Sequence, residues 1–212
     1  MTVKTRFLVL GATAKTGRRV AEQLQNLGHS VRAVSRSTTP SFDWTKPDTW
    51  DDVLRDIDAV YVTFQPDLAV PGSDQIIADF AARALSHGAK RLVMLSGRGE
   101  DAAQDAERTL RNSGADWTVL RANWFFQNFS EDLFLPYLQN GVLALPAGDI
   151  PEPFVDADDI AECAVTAILD PAHIGKTYEL SGPDALTFEE ATAIIASSAN
   201  RDIAFVPITL DQ

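Results

Sequence analysis

Apolar residues in this chain come in short unbroken runs, separated by longer stretches of helical spacing. Phe7-Leu8-Val9-Leu10, Val31 to Val34, Asp58-Ala59-Val60-Tyr61-Val62-Thr63-Phe64, Arg91-Leu92-Val93-Met94-Leu95 and Asp116-Trp117-Thr118-Val119-Leu120-Arg121 have strand length. Runs that are apolar on both faces suit a parallel sheet covered on both sides. Between them, Val20, Leu24 and Leu27 recur on one helical face. So do Trp50, Val53, Leu54 and Ile57 within Pro47 to Ile57, and Ile76, Ile77, Phe80, Ala84 and Leu85 within Gly72 to His87. Glu100 to Asn112 reads as a charged helix and Asn123 to Leu138 as an aromatic-rich one. This alternation predicts an α/β fold with a doubly wound parallel sheet.

Beyond Leu138 the pattern changes. Val142-Leu143-Ala144-Leu145-Pro146 is short and extended. Phe154-Val155-Asp156 leads into a helix capped near Asp156 or Asp158, and Thr177-Tyr178-Glu179-Leu180 reads as a strand. Thr187 with Glu190 three residues on is a capping box. The expected organisation is one domain over residues 1–212. Its core runs from about 1 to 122 and 154 to 170, and a small C-terminal substrate lobe takes 123–153 and 171–212.

The first run ends in Gly11-Ala12-Thr13-Ala14-Lys15-Thr16-Gly17, placed between a strand and a helix. Gly11 permits a tight strand-to-helix turn. Gly17 lets the helix pack close to the sheet. N–H groups at a helix start and the helix dipole favour an anion. In this context the turn reads as the pyrophosphate cradle of a Rossmann-type dinucleotide-binding unit, with Gly11, Thr13, Ala14, Lys15, Thr16 and Gly17 as its residues; the alternative is a plain strand-to-helix turn of an α/β protein. Ala14 stands where a three-glycine pattern has its middle glycine, and its methyl group narrows the cradle. Ala14-Lys15-Thr16 lacks the leading glycine of a P-loop.

The second run ends at Ser35-Arg36-Ser37. An acid at this place, about 20 residues on, would hold the ribose 2′-OH of NAD. None is present. A guanidinium with hydroxyls, Arg36 and Ser37, suits a 2′-phosphate, so the sequence favours NADP(H) over NAD(H). Ligands of such folds lie beyond the carboxyl ends of strands. That adds Phe64-Gln65-Pro66, Ser96-Gly97-Arg98 and Ala122-Asn123-Trp124-Phe125 to the candidate segments.

Composition narrows the partners. The net charge of −12 argues against nucleic acid and anionic membrane surfaces. No apolar run spans a bilayer and no signal-peptide core is present, so a soluble cytoplasmic protein acting on a small-molecule substrate is expected. Cys163, the only cysteine, falls in the apolar helical run Ile160 to Leu169 and reads as a core residue. No His, Asp or Glu spacing suggests a metal. His29 and His87 each flank a glycine just before a strand and read as solvated turns, and His173, in the loop Pro171 to Gly175, has no partner recognisable from sequence. Asp101, Asp105 and Glu107 read as a solvated helix face, with Glu107 as an acid/base the second reading.

The chain resembles NmrA-like atypical short-chain dehydrogenases/reductases, in particular the NAD(P)H-binding subgroup with ergot-alkaloid-type reductases. The matching segments are Gly11 to Gly17, Val31 to Arg36, Phe42-Asp43-Trp44, Trp117 to Arg121, Trp124 to Asn128, Pro153 to Asp156 and Asp158-Asp159-Ile160. The resemblance implies a Rossmann core and a nicotinamide cofactor. It also implies that Asp43 and Trp44 lie by the adenine, that Phe64 and Gln65 line the cofactor, and that Asn123 and Trp124 approach the nicotinamide. Members typically continue past the position of Leu210, so either this lobe is reduced or the chain is truncated.

One departure matters for chemistry. The short-chain catalytic pair Tyr-x-x-x-Lys is absent: Tyr61, Tyr137 and Tyr178 have no lysine four residues on, and Ala103 and Glu107 take the corresponding spacing. Ser96 remains at a strand end, either as a catalytic hydroxyl or as a turn residue bonding its own backbone. The expected function is an NADPH-dependent reductase passing hydride to a quinone, imine or similar electrophile. The alternative is a non-catalytic NADP(H)-sensing regulator.

Overall fold

A computed structural model describes residues 5–209 and 211. The chain forms two compact units, Met1–Ala122 with Asp158–Leu180 and Asn123–Ala157 with Ser181–Gln212. Leu210, past which family members are expected to continue, lies outside the described residues.

The first unit is built on six parallel strands. They are β1 (Arg6–Leu10), β2 (Ser30–Val34), β3 (Ala59–Val62), β4 (Arg91–Gly97), β5 (Asp116–Ala122) and β7 (Lys176–Leu180), in the order β2-β1-β3-β4-β5-β7. Side chains alternate between the faces of a strand, and the sheet is buried on both. Leu8, Leu10, Val60, Val62, Leu92 and Met94 meet α2 (Trp50–Leu54), α3 (Ser73–Ser86) and α4 (Ala103–Arg111) on one side. Phe7, Val9, Tyr61, Val93 and Leu120 meet α1 (Lys15–Asn26) and α7 (Ala157–Leu169) on the other. This is the doubly wound Rossmann-type architecture that the apolar runs predict.

Sequence and structure part at β7. The strand itself was legible, but its place was assigned to the small lobe. It pairs in parallel with β5, Leu120 opposite Tyr178. The reason is connectivity: α7 is a crossover helix, and the strand that follows such a helix returns to the same sheet.

The second unit is held by an aromatic cluster of Phe129, Phe134, Phe154 and Phe188, with Leu138 and Leu143. Phe154 and Phe188 meet edge to face at 5.2 Å. A small sheet pairs β6 (Val142–Leu145) in parallel with β8 (Ala204–Pro207), a strand that sequence reading missed. The continuous helix expected over Asn123 to Leu138 is broken into α5 (Gln127–Ser130) and α6 (Leu135–Gln139). Phe125 instead bridges Val155, whose N–H donates to the Trp124 carbonyl at 2.9 Å. Phe129 and Phe134 are five positions apart and in one helix would diverge by about 140°. Breaking the helix lets both enter one cluster.

α8 (Phe188–Ala199) starts as its sequence predicts. Thr187 Oγ1 accepts from the Glu190 N–H, and the Glu190 carboxylate accepts from the Thr187 N–H. Thr187→Ala should cost about 1 kcal/mol, visible as a lower urea midpoint with an unchanged slope. No change in midpoint would mean that α8 is held by its packing alone.

Candidate functional site

The sheet order defines where a ligand can enter. β1 is flanked by β2 on one side and β3 on the other, so the connections leave it in opposite directions. That is the topological switch point of a doubly wound sheet. The Gly11 turn sits there. Gly11 has φ +72°, a left-handed conformation that side chains disfavour, and a Cβ on it would stand 2.6 Å from Thr63 Cγ2 at the end of β3. A Cβ on Gly17 would stand 2.7 Å from the Leu10 carbonyl oxygen. Backbone meets backbone here, and one methyl group would force α1 away from the strand.

The turn is fastened from both sides. The Ala12 N–H donates to the Val34 carbonyl of β2 at 2.9 Å, and the Ala14 N–H to the Gly11 carbonyl at 2.8 Å. α1 begins at Lys15 with no side-chain cap on Ala14 and no acid in its first turn. Its first-turn N–H groups and dipole therefore favour an anion. Thr13 is exposed, while Thr16 is buried and faces the phenol of Tyr61, whose pKa burial pushes up. The two glycines leave a cradle that a Cβ at either position would fill, and a pyrophosphate suits it.

Arg36 and Ser37 follow β2 and are both exposed. Ser37 Oγ lies 3.0 Å from Ser35 Oγ, and the Ser37 N–H donates to Ser35 Oγ. Arg36 has no hydrogen bond or ion pair within the described residues. Its charge helps to lower the pKa of Asp43. Hydrogen bonds from the Thr45 N–H and hydroxyl do most of that lowering, Lys46 adds to it, and burial opposes it. The Asp43 main chain is pinned by Thr49 Oγ1 and by the Trp50 indole N–H. Trp44 is buried among Phe42, Trp50, Phe64 and Phe80, and its indole N–H donates to the Thr63 carbonyl at 3.1 Å. Phe64 is buried beside it, and Gln65 is exposed. Trp44 thus braces the end of β3, the neighbour of Gly11.

At the end of β4 the structure corrects two readings. Ser96 is buried, and its hydroxyl donates to Glu107 Oε1 at 2.7 Å. The proton that a catalytic hydroxyl would offer is already committed. Glu107, read as part of a solvated face, is fully buried and sits between two guanidiniums. Arg121 binds it through two nitrogens at 2.9 and 2.7 Å, and Arg111 at 2.7 Å. Burial alone would raise its pKa. Hydrogen bonds from Arg121 and Ser96 and the two positive charges outweigh that and hold it low. Ala103, one turn earlier, is buried as well. The helical spacing at which the sequence shows Ala103 and Glu107, and no Tyr-x-x-x-Lys pair, carries a structural anchor. The missed signal was Arg111, four residues after Glu107 and on the same helical face.

Asn123 and Trp124 belong to the second unit. Asn123 Nδ2 donates to Glu152 at 2.7 Å, and Trp124 stacks on Phe134. Cys163 is exposed rather than in the core. It lines a cavity of about 420 Å³ with Leu120, Thr166, His173, Tyr178 and Leu180, and burial followed by Glu162 and Asp159 raises its pKa. His173 has a partner after all, the Tyr178 hydroxyl at 2.8 Å, and His87 lies 2.9 Å from Asp51. Among the described residues no cluster could hold a metal ion, and no helix is long and apolar enough to cross a membrane.

A switch-point turn with two backbone-crowded glycines, opening an uncapped helix, defines a dinucleotide-binding Rossmann unit. The chain belongs to the NAD(P)H-binding family, which it matches over residues 11–171. It is 30% identical to the NAD(P)H azoreductase of Xenophilus azovorans, the match covering 97% of this chain and 78% of that protein. It is 29% identical to agroclavine dehydrogenase of Claviceps fusiformis, over 96% of this chain and 76% of that one. Its fold matches the NADPH-dependent quinone oxidoreductase of Escherichia coli, crystallised with NADPH, at a TM-score of 0.78 and 21% identity, over 96% and 78% of the two chains.

The glycine geometry makes a sharp prediction. Gly17→Ala should destabilise the protein by about 1–3 kcal/mol through overpacking and weaken NADP(H) binding at least tenfold by calorimetry. Ala14→Gly should leave binding intact or tighter. The Glu107 anchor makes another. Its folded pKa is lowered, so its stabilisation is complete above about pH 4.3 and is lost as pH falls through the folded value. Glu107→Ala should cost about 3–5 kcal/mol and flatten the acid limb of a stability–pH curve. An unchanged acid limb would remove Glu107 as the anchor.

Proposed function

We propose that this protein is an NADPH-dependent reductase that delivers hydride to a quinone, imine or similar electrophile. The observation that carries the cofactor choice is Arg36, an exposed guanidinium with no hydrogen bond or ion pair among the described residues, at the end of β2 where an acid would select NAD. Arg36 and Ser37 would bind the 2′-phosphate. Gly11, Thr13, Ala14, Lys15, Thr16 and Gly17 would cradle the pyrophosphate. Asp43 would meet the adenine from its pinned loop, with Trp44 bracing Thr63 and Phe64, and Gln65 would complete the wall at the end of β3.

When bound, the cofactor supplies a hydride. The chain's part is to hold it and to shape the strand ends for the acceptor. The absence of a Tyr-x-x-x-Lys pair, together with the commitment of the Ser96 proton to Glu107, favours acceptors that need no strong acid at the moment of hydride arrival. Quinones and iminium-like carbons meet that condition, and unactivated ketones do not. The relatives point the same way: an NAD(P)H azoreductase and an agroclavine dehydrogenase are named for redox chemistry. That favours the reductase over the NADP(H)-sensing alternative.

Calorimetry should give tighter binding of NADPH than of NADH, and Arg36→Ala should remove about 1–3 kcal/mol of that difference. Equal affinity for the two cofactors in the unmutated protein would refute the choice of NADPH. Following NADPH oxidation, quinones and imines should turn over faster than simple ketones. Tight NADPH binding with no turnover on any acceptor would instead favour the sensor.

A further inference from the structure

Reduction leaves an acceptor atom that must gain a proton, and at the ends of β3, β4 and β7 the hydroxyls that could give it are either sealed in the core or already bonded. Tyr61 is buried inside β3, the Tyr178 hydroxyl is bonded to His173, and the Ser96 hydroxyl donates to Glu107. One acid at the end of β4 is different. Glu100 stands in the turn before α4 and folds its carboxyl back onto Gly97, the last residue of β4. A Cβ at Gly97 would stand 2.6 Å from Glu100 Oε1. The carboxyl rests where only a glycine leaves room for it.

That seat is at the ligand-binding edge of the sheet. β4 lies two strands from β1 across β3, roughly 10 Å at ordinary strand spacing. A dinucleotide held at the Gly11 turn extends along these strand ends. Glu100 as a residue remains exposed, but its carboxyl has no hydrogen bond or ion pair among the described residues. The group facing it from another element is Asp67, in the loop after β3. Gly97 and Ser96 of β4 present no titratable group. In its own turn, Arg98 pairs with Glu179 and Asp101 accepts from Gln104. Burial first, and Asp67 second, raise the Glu100 pKa, so its acid form persists to higher pH than that of an ordinary glutamate.

We propose that Glu100, seated on Gly97, is the catalytic acid that completes reduction. The inference rests on the reductase reading. The hydride brings two electrons and one hydrogen to the acceptor. The Glu100 O–H bond then breaks as an N–H or O–H bond forms on the reduced acceptor, and the carboxylate left behind regains a proton from water. The preferred substrates are acceptors whose reduced atom is a nitrogen or oxygen anion, such as imines, azo compounds and quinones.

The test uses the whole chain with carbon-13-labelled glutamate, the Glu100 carboxyl resonance being identified by its loss in Glu100→Gln. It should titrate above the ordinary value of about 4.3. It should move back toward that value in Asp67→Asn, which removes the neighbouring charge, and in Gly97→Ala, which evicts the carboxyl. Saturating NADP⁺ should shift it. An ordinary titration, or no response to NADP⁺ that calorimetry shows to be bound, overturns the proposal. With an imine acceptor, wild-type kcat should fall as pH rises through the Glu100 pKa. Glu100→Gln should lower kcat about 100-fold and lose that fall, with the Kd for NADPH unchanged. Turnover in Glu100→Gln at the wild-type rate and pH profile overturns the role of Glu100 and leaves the reductase standing. No wild-type turnover with any acceptor overturns both.

Discussion

The close approach of α1 to the turn that feeds it governs the rest of the first unit. Gly17 lies so near the carbonyls of Leu10 and Gly11 that no side chain fits between them. This contact sets the height at which α1 begins and hence where its unpaired N–H groups point. It also aligns the ends of β1 and β3, because Gly11 is crowded by Thr63, whose carbonyl is held by the Trp44 indole. The aromatic cluster behind β3 is therefore part of the same device. It fixes the wall against which a cofactor would lie, and its rings stay dry inside the core.

A second device lies under α4, on the same face of the sheet as the aromatic cluster. Glu107 gathers Ser96 of β4, Arg121 of β5 and Arg111 of α4 around one buried carboxylate. A buried ion pair is poor evidence of net stability, but its geometry locks three elements in register. Ala103 and Glu107, one helical turn apart, are both buried on the face of α4 that makes this contact. Here the turn has been given over to architecture, and acid chemistry, if it comes from this region, must come from the loop before the helix.

How much of this was legible depended on the range of the interactions involved. The five early strands could be read because a buried parallel strand is a continuous apolar run, and a run is a local signal. The Gly11 turn and the Thr187 box were legible for the same reason. Glu107 was misread because a charged residue on a helix is usually solvated, and what buries it, Arg121, stands on another strand. Cys163 was misread the other way: its apolar neighbours in sequence line α7, but its own direction faces a cavity. The broken helix at 127–139 and the pairing of β6 with β8 follow from packing within the second unit, which no local pattern encodes.

The two units are interleaved along the chain. Residues Asn123–Ala157 of the second separate β5 from the α7–β7 segment that completes the sheet of the first. The second in turn waits for β8, which pairs with a strand about sixty residues upstream. Each unit must close a long loop before its last strand is rewarded, and such non-local parallel pairing forms slowly. On a ribosome, the edge of β5 would emerge well before β7 arrives to cover it. The chain thus passes through a stage in which a row of main-chain hydrogen-bonding groups is open to solvent and to other chains. The order of synthesis, rather than the final energy, sets its exposure to misassembly.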